Sequence, residues 1–136
     1  MSYASGAALQ AAIFQRLTGD AALAALVGTA VHDAVPPGTL TGTYVSLGPE
    51  DVRDASDATG AGAAHDFTVS IVTDAAGFQQ AKDVAAAVSD ALTEAPPPVL
   101  ARGHLVGLWF LKARARRVRT GEMRRIDLTF RARIED

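Results

Sequence analysis

Two runs close the chain on either side of Thr120-Gly121-Glu122: residues 105–119, apolar as far as Leu111 and then alternating small apolar with basic side chains, and residues 124–134, alternating apolar with polar or basic ones. A period of two sends successive side chains to opposite faces of an extended backbone, so neither run can bury its apolar set as a helix. The pair predicts two β-strands joined by a tight turn. In the second run Ile126, Leu128, Phe130, Ala132 and Ile134 share the core face, and Asp127, Thr129, Arg131 and Arg133 stand opposite. In the first, strict alternation groups Leu105, Gly107, Trp109, Leu111, Ala113 and Ala115 against Val106, Leu108, Phe110, Lys112, Arg114 and Arg116. Its first half is expected to be buried on both faces and its second half on one.

Upstream segments supply helices to cover such a sheet. Ser5 can cap a helix running to Leu17, because Leu9, Ala12, Ile13 and Leu17 recur at helical spacing. Asp20 can cap a second, with Leu23, Leu26 and Val27 as its buried edge and Gly28 ending it in the left-handed conformation. Val31-His32-Asp33 reads as extended, Pro36-Pro37-Gly38 as a turn, and residues 43–48 as a strand. Residues 49–64 are rich in small and acidic side chains and are expected to form a long mobile loop. Phe67, Val69 and Ile71 then alternate with Thr68 and Ser70 as a half-buried strand. Phe78, Ala81, Ala85, Val88 and Leu92 mark one face of a helix over residues 77–93, which Pro96-Pro97-Pro98 ends. The 136 residues are thus expected to form one domain with the order α-α-β-β-β-α-β-β. The predicted class is α+β, a mostly antiparallel sheet of four to five strands with helices packed on one face.

No residue set points to catalysis. Cysteine is absent, which excludes disulfides and thiolate metal sites. His32, His65 and His104 stand near different strand beginnings without ligand spacing, and read as solvated or strand-edge side chains. Asp51, Asp54 and Asp57 lack the alternate positions, central glycine and terminal glutamate of an EF-hand. The glycine-rich residues 59–64 lack a phosphate-loop lysine and precede a strand. Ser46, Ser70 and Ser89 have no nucleophile elbow. A non-enzymatic protein without cofactor or metal is expected. Residues 1–6 lack the features of a signal peptide, and the apolar run 105–111 is far shorter than the roughly 20 residues that span a bilayer. Synthesis in the cytoplasm, with no membrane partner, follows as the expectation.

Charge is distributed unevenly. Residues 1–98 hold three basic side chains against eleven carboxylates, a net of −8, and residues 99–136 hold ten against four, a net of +6. The arginines fall as stripes on predicted strands, and three readings of them stay open. They are a solvated face that discourages sheet-to-sheet aggregation, a set of phosphate contacts, or an assembly surface. Aromatic side chains that would stack bases are not interleaved with them, which argues against sequence reading of a nucleic acid. As an assembly surface, Lys112, Arg114, Arg116, Arg131 and Arg133 would meet acidic positions such as Asp51, Asp54 and Asp57 of a neighbour.

The order and spacing of these segments resemble the tail-terminator, or tail-completion, proteins of long-tailed bacteriophages and gene transfer agents. The resemblance runs from residues 8–17 and 20–28 through Val31-His32-Asp33, Val35-Pro36-Pro37 and Thr43-Tyr44-Val45-Ser46-Leu47-Gly48. It continues in the helix over residues 77–92, the apolar run 105–111 and Ile126-Asp127-Leu128-Thr129-Phe130-Arg131, and so spans nearly the whole chain. Thr43 departs from it, standing where such proteins often have proline. The resemblance implies an α+β virion protein of a phage-like particle tail. It implies a homo-hexameric ring that caps the head-proximal end of the tail tube, ends tube polymerisation and joins the head connector. Tail tube protein and head–tail connector protein would be its partners, with non-specific contact to DNA passing through the ring, and the loop over residues 49–64 would order on contact. It carries no catalytic residue. The reading from a different class is a nucleic-acid-binding module that uses the basic C-terminal sheet.

Overall fold

The period-two segments form the centre of the molecule. The computed structural model describes residues 3–34, 41–58, 60–118 and 123–135. Along the chain these build α1 (Gly6–Thr18), α2 (Ala21–Val27), β1 (Val31–His32), β2 (Thr43–Asp54), β3 (Gly62–Thr73), α3 (Gln79–Thr93), β4 (His104–Arg117) and β5 (Arg124–Glu135). The five strands make one sheet in the order β1-β2-β3-β5-β4. Only the β1–β2 pair is parallel. Three helices pack on this mixed sheet, giving an α+β fold. The turns expected at Pro36-Pro37-Gly38 and Thr120-Gly121-Glu122 lie outside the described residues.

One face of the sheet carries the core. Phe67 pairs with Phe130, Val69 with Leu128 and Ile71 with Ile126, and all six are buried under Leu9, Ile13 and Leu17 of α1, Leu23 of α2 and Val84, Val88 and Leu92 of α3. The rings of Phe67 and Phe130 stack at 5.7 Å, and Phe110 of β4 meets Phe130 edge-on at 5.9 Å. Asp20 caps α2 as expected, its carboxylate accepting from the Leu23 amide at 2.9 Å. Ser5 precedes α1 but makes no side-chain cap bond. Of the buried edge expected for α2, Leu23 is fully buried and Val27 packs partly buried against the core, whereas Leu26 is exposed. Gly28 ends α2 with φ +61° but ψ −122°, outside the left-handed helical well.

Two expectations fail for the same reason, an extra residue in a strand. Residues 49–64 are not a long loop: β2 runs to Asp54, β3 begins at Gly62, and the connection is residues 55–61. Gly48-Pro49 mimics the end of a strand but sits in a bulge between Leu47, opposite Val69, and Glu50, opposite Phe67. Proline is tolerated there because this stretch of β2 lies on the sheet edge, beyond the two residues that pair with β1. The second failure is in β4, where Val106 and Leu111 are extra residues. The face toward the helices is therefore Leu105, Leu108, Phe110, Ala113 and Ala115, and the opposite face is Gly107, Trp109, Lys112, Arg114 and Arg116. Nor is the first half of β4 buried on both sides. Val106, Trp109, Phe110 and Leu111 are all exposed: Trp109 stands on the open face, Val106 and Leu111 are the extra residues, and β4 is an edge strand.

His65 also differs from expectation. It lies within β3 and is fully buried, with the Tyr3 ring stacked over it and Glu50 Oε2 3.5 Å from its Nδ1. The β2 bulge turns Glu50 to this side, where it also accepts a hydrogen bond from the Tyr3 hydroxyl. That bond and the carboxylate's charge push the Tyr3 hydroxyl pKa up.

Candidate assembly surface

The sheet face turned away from the helices gathers the charged positions. Strand pairing brings Arg53 of β2, Lys112, Arg114 and Arg116 of β4, and Arg125, Arg131 and Arg133 of β5 onto it. Asp51, Asp66 and Asp127 share that face, so seven basic side chains stand against three carboxylates, a net of +4. The helices and their flanking residues carry Arg16 and Lys82 against Asp20, Asp33, Asp74, Asp83, Asp90 and Glu94, a net of −4. Charge is thus segregated across the thickness of the sheet. The two-ended division read along the chain also persists across the sheet, since acidic positions of β2 and basic positions of β4 lie towards opposite edges.

Two carboxylates brace this face. Asp66 accepts from Arg131 Nε and Nη2 at 2.8 and 2.9 Å, a bidentate pair, and from Arg53 Nη1 at 3.3 Å. The Arg131 hydrogen bonds, against partial burial and with the charges of both arginines, hold the Asp66 carboxyl below the usual carboxylate range. Asp127 accepts from the Ser70 hydroxyl at 2.6 Å and Arg125 Nε at 2.8 Å, with Arg116 Nη2 at 3.7 Å. Burial pushes this carboxyl up, but Ser70, Arg125 and Arg116 together bring it below its ordinary value. Arg125 Nη2 also donates to Ser70 Oγ at 3.0 Å, which closes the network.

The acidic positions singled out from sequence divide among three places. Asp51 is in β2 opposite Asp66. Asp54 ends β2 and accepts from the Ser56 hydroxyl at 2.6 Å and amide at 3.1 Å, which lowers its pKa. Asp57 lies in the β2–β3 connection, where it accepts from the Gly60 amide and its Oδ2 stands 3.6 Å from Arg133 Nη2. Within one copy, then, Asp57 already meets Arg133, whereas Lys112 and Arg114 make no ion pair among the described residues. Lys112, Arg114, Arg116 and Arg125 surround a shallow concavity of about 420 Å³ that reaches Pro49, Thr68, Asp127 and Thr129.

Sequence reading missed Asp66, Ser70 and Arg125 as members of this surface. Their signal was present in the alternation, since Asp66 and Ser70 flank Phe67 and Ile71, and Arg125 precedes Ile126. Trp109 was assigned to the wrong face, and no periodicity reports a bulge. The arrangement offers recognition by charge and hydrogen-bond donors. Among the described residues, no group of three or more His, Asp or Glu side chains could hold a metal, and no helix is long and apolar enough to cross a membrane.

The chain matches the family model described as tail completion protein gp17 over residues 11–135. It is also similar to a chain in a solved structure of the virion of a native gene transfer agent (GTA) particle. The two are 71% identical, with 99% of this chain and 100% of that chain covered and a TM-score of 0.92. No curated protein matches it.

Proposed function

The chain belongs to the tail completion protein gp17 family, and on that premise we propose that it is one subunit of a ring closing the head-proximal end of a phage-like tail tube. It is a structural protein of a phage-like tail, located in the virion tail. In this reading six copies form the ring, which ends tube polymerisation and contacts tail tube protein below and head–tail connector protein above. The near-complete match to a chain of a gene transfer agent virion carries the proposal.

The sheet supplies physical support. A closed ring of identical subunits joined head to tail needs two unlike surfaces per subunit, related by a rotation of about 60° for six copies. The sheet has two unlike edges. One is β4, with Val106, Phe110 and Leu111 exposed. The other is β2 beyond Ser46, where β1 no longer covers it and Glu50, Asp51 and Asp54 concentrate negative charge. Open edges bearing apolar side chains are ordinarily covered in the working assembly. Asp51 and Asp54 meeting Lys112, Arg114 and Arg116 of the next copy would add steering and register more than affinity.

Sedimentation of the purified protein alone and with tail tubes tests the ring. Hexamer-sized species, alone or on tubes, are expected, and monomers persisting in the presence of tubes would sink the proposal. Electron microscopy of particles assembled without this protein should show overlong tubes; tubes of normal length would count equally against it.

A further inference from the structure

We infer that the open face of the sheet binds nucleic acid, with Trp109 stacking on an exposed base and Lys112, Arg114 and Arg116 following the phosphates of the same strand. This assigns Lys112, Arg114 and Arg116 to nucleic acid in the free subunit, where no neighbouring copy's Asp51 and Asp54 compete for them, whatever the subunit number of the ring. The β4 bulge at Leu111 exchanges the aromatic side chain beside the basic stripe: strict alternation would place Phe110 with Lys112, Arg114 and Arg116, whereas the pairing sends Phe110 to the core face and Trp109 to the open one. Trp109 pairs with Arg131 and Lys112 with Thr129, both on the open face of β5, so the indole stands in line with the basic stripe.

The indole has the form of a platform. A Cβ on Gly107 would lie 2.6 Å from Trp109 Cζ2 and 2.7 Å from Cη2, so the ring rests over the bare backbone of Gly107. With 48% of the residue exposed, the ring is left available for stacking. Stacking on such a ring needs a base that is not already stacked in a duplex, which selects a single strand or an unpaired end.

The basic stripe fits the rest of the strand. Lys112, Arg114 and Arg116 occupy alternate positions, about 7 Å apart at the rise of a β-strand, comparable to successive phosphates of an extended nucleic-acid strand. All three are exposed. Arg116 holds only a 3.7 Å contact to Asp127, whose closer partners are Arg125 and Ser70. The concavity beside them also exposes Thr68 and Thr129, whose hydroxyls can donate to phosphate oxygens. An acidic protein segment would satisfy the same charges but would make no use of the indole, and this favours nucleic acid.

The experiment uses the full chain, in which Trp109 is the single tryptophan and reports its own contact. A mixed-sequence single-stranded oligonucleotide is titrated at 50 and 200 mM salt while emission is followed. Quenching is expected, with binding about 20-fold weaker at the higher salt if three phosphates are neutralised. Measured by anisotropy of a labelled oligonucleotide, Trp109→Leu should weaken binding about tenfold and leave the salt dependence in place. The double change Lys112→Ala with Arg114→Ala should weaken binding and flatten the salt dependence. Absence of binding by the unaltered protein at 50 mM salt overturns the inference, as does binding without any change in Trp109 emission. Polyglutamate bound as tightly as the oligonucleotide also overturns it, and assigns the face to an acidic protein partner.

Discussion

The two faces of the sheet are built from the same strands but held by different forces. Under the helices, Phe67, Val69, Ile71, Leu128 and Phe130 are closely packed and shielded from water, so stability there follows buried apolar area and the cavities that truncation would leave. On the open face Asp66 and Asp127 hold arginines in partly exposed networks, Asp127 also taking the hydrogen bond of the buried Ser70 hydroxyl, and there each ion pair is worth little and the arrangement matters for recognition. A single backbone therefore carries a stability face and a contact face, and substitutions on the two should differ in kind.

The sharpest test is Phe130→Ala. The residue is fully buried between Phe67 and Phe110, and its truncation should cost about 3–5 kcal/mol in denaturant unfolding. A loss below about 1 kcal/mol would erase the distinction between the faces. On the open side Asp66→Asn removes the brace of Arg131 and Arg53. With solvent screening, a loss of about 1 kcal/mol is expected near neutral pH.

Acid unfolding sharpens the same point. The Asp66 and Asp127 carboxyls titrate below their ordinary range in the folded protein, so both contribute stability that is complete above the unfolded value near ~4. That stability is lost as pH falls through the folded values. Thermal melts taken downward from neutral pH should fall below this point, and Asp66→Asn should make the fall shallower. Equal slopes for the two proteins would show that Asp66 does not contribute.

Smaller effects are expected at β4. Lys112→Ala and Arg114→Ala should change stability by no more than about 0.5 kcal/mol, since neither makes an ion pair among the described residues. Their loss should instead appear in assembly or binding. Gly107→Val places side-chain atoms where the indole lies, so it should shift Trp109 emission with little change in unfolding free energy. An unchanged spectrum would show that the indole does not rest on Gly107.

Much of this was legible in the residue order. Alternation at Phe67–Ile71 and Ile126–Ile134 marks the core faces of β3 and β5, and helical spacing marks α1 and α3. Three kinds of feature were not. Gly48-Pro49 is spelled like a strand terminus but is a bulge. Val106 and Leu111 are ordinary strand residues whose misalignment with β5 shows only in the pairing. His65 carries a polar side chain that periodicity cannot call buried, yet Tyr3 and Glu50, distant in sequence, cover and face it.

By itself the sequence determined the order of helices and strands, though not the full length of β2, together with the α+β class and the absence of any recognisable catalytic motif, because those depend on local periodicity and residue chemistry. Its likeness to tail-completion proteins was likewise carried by the order of segments. Tertiary structure decided which side chains share a face. One extra residue in a strand inverts everything beyond it, and only pairing with the neighbouring strand reveals where that residue sits. It thereby turned a chain with an acidic front and a basic end into a sheet with an acidic helical layer and a basic open face, and set Trp109 beside Lys112 and Arg114.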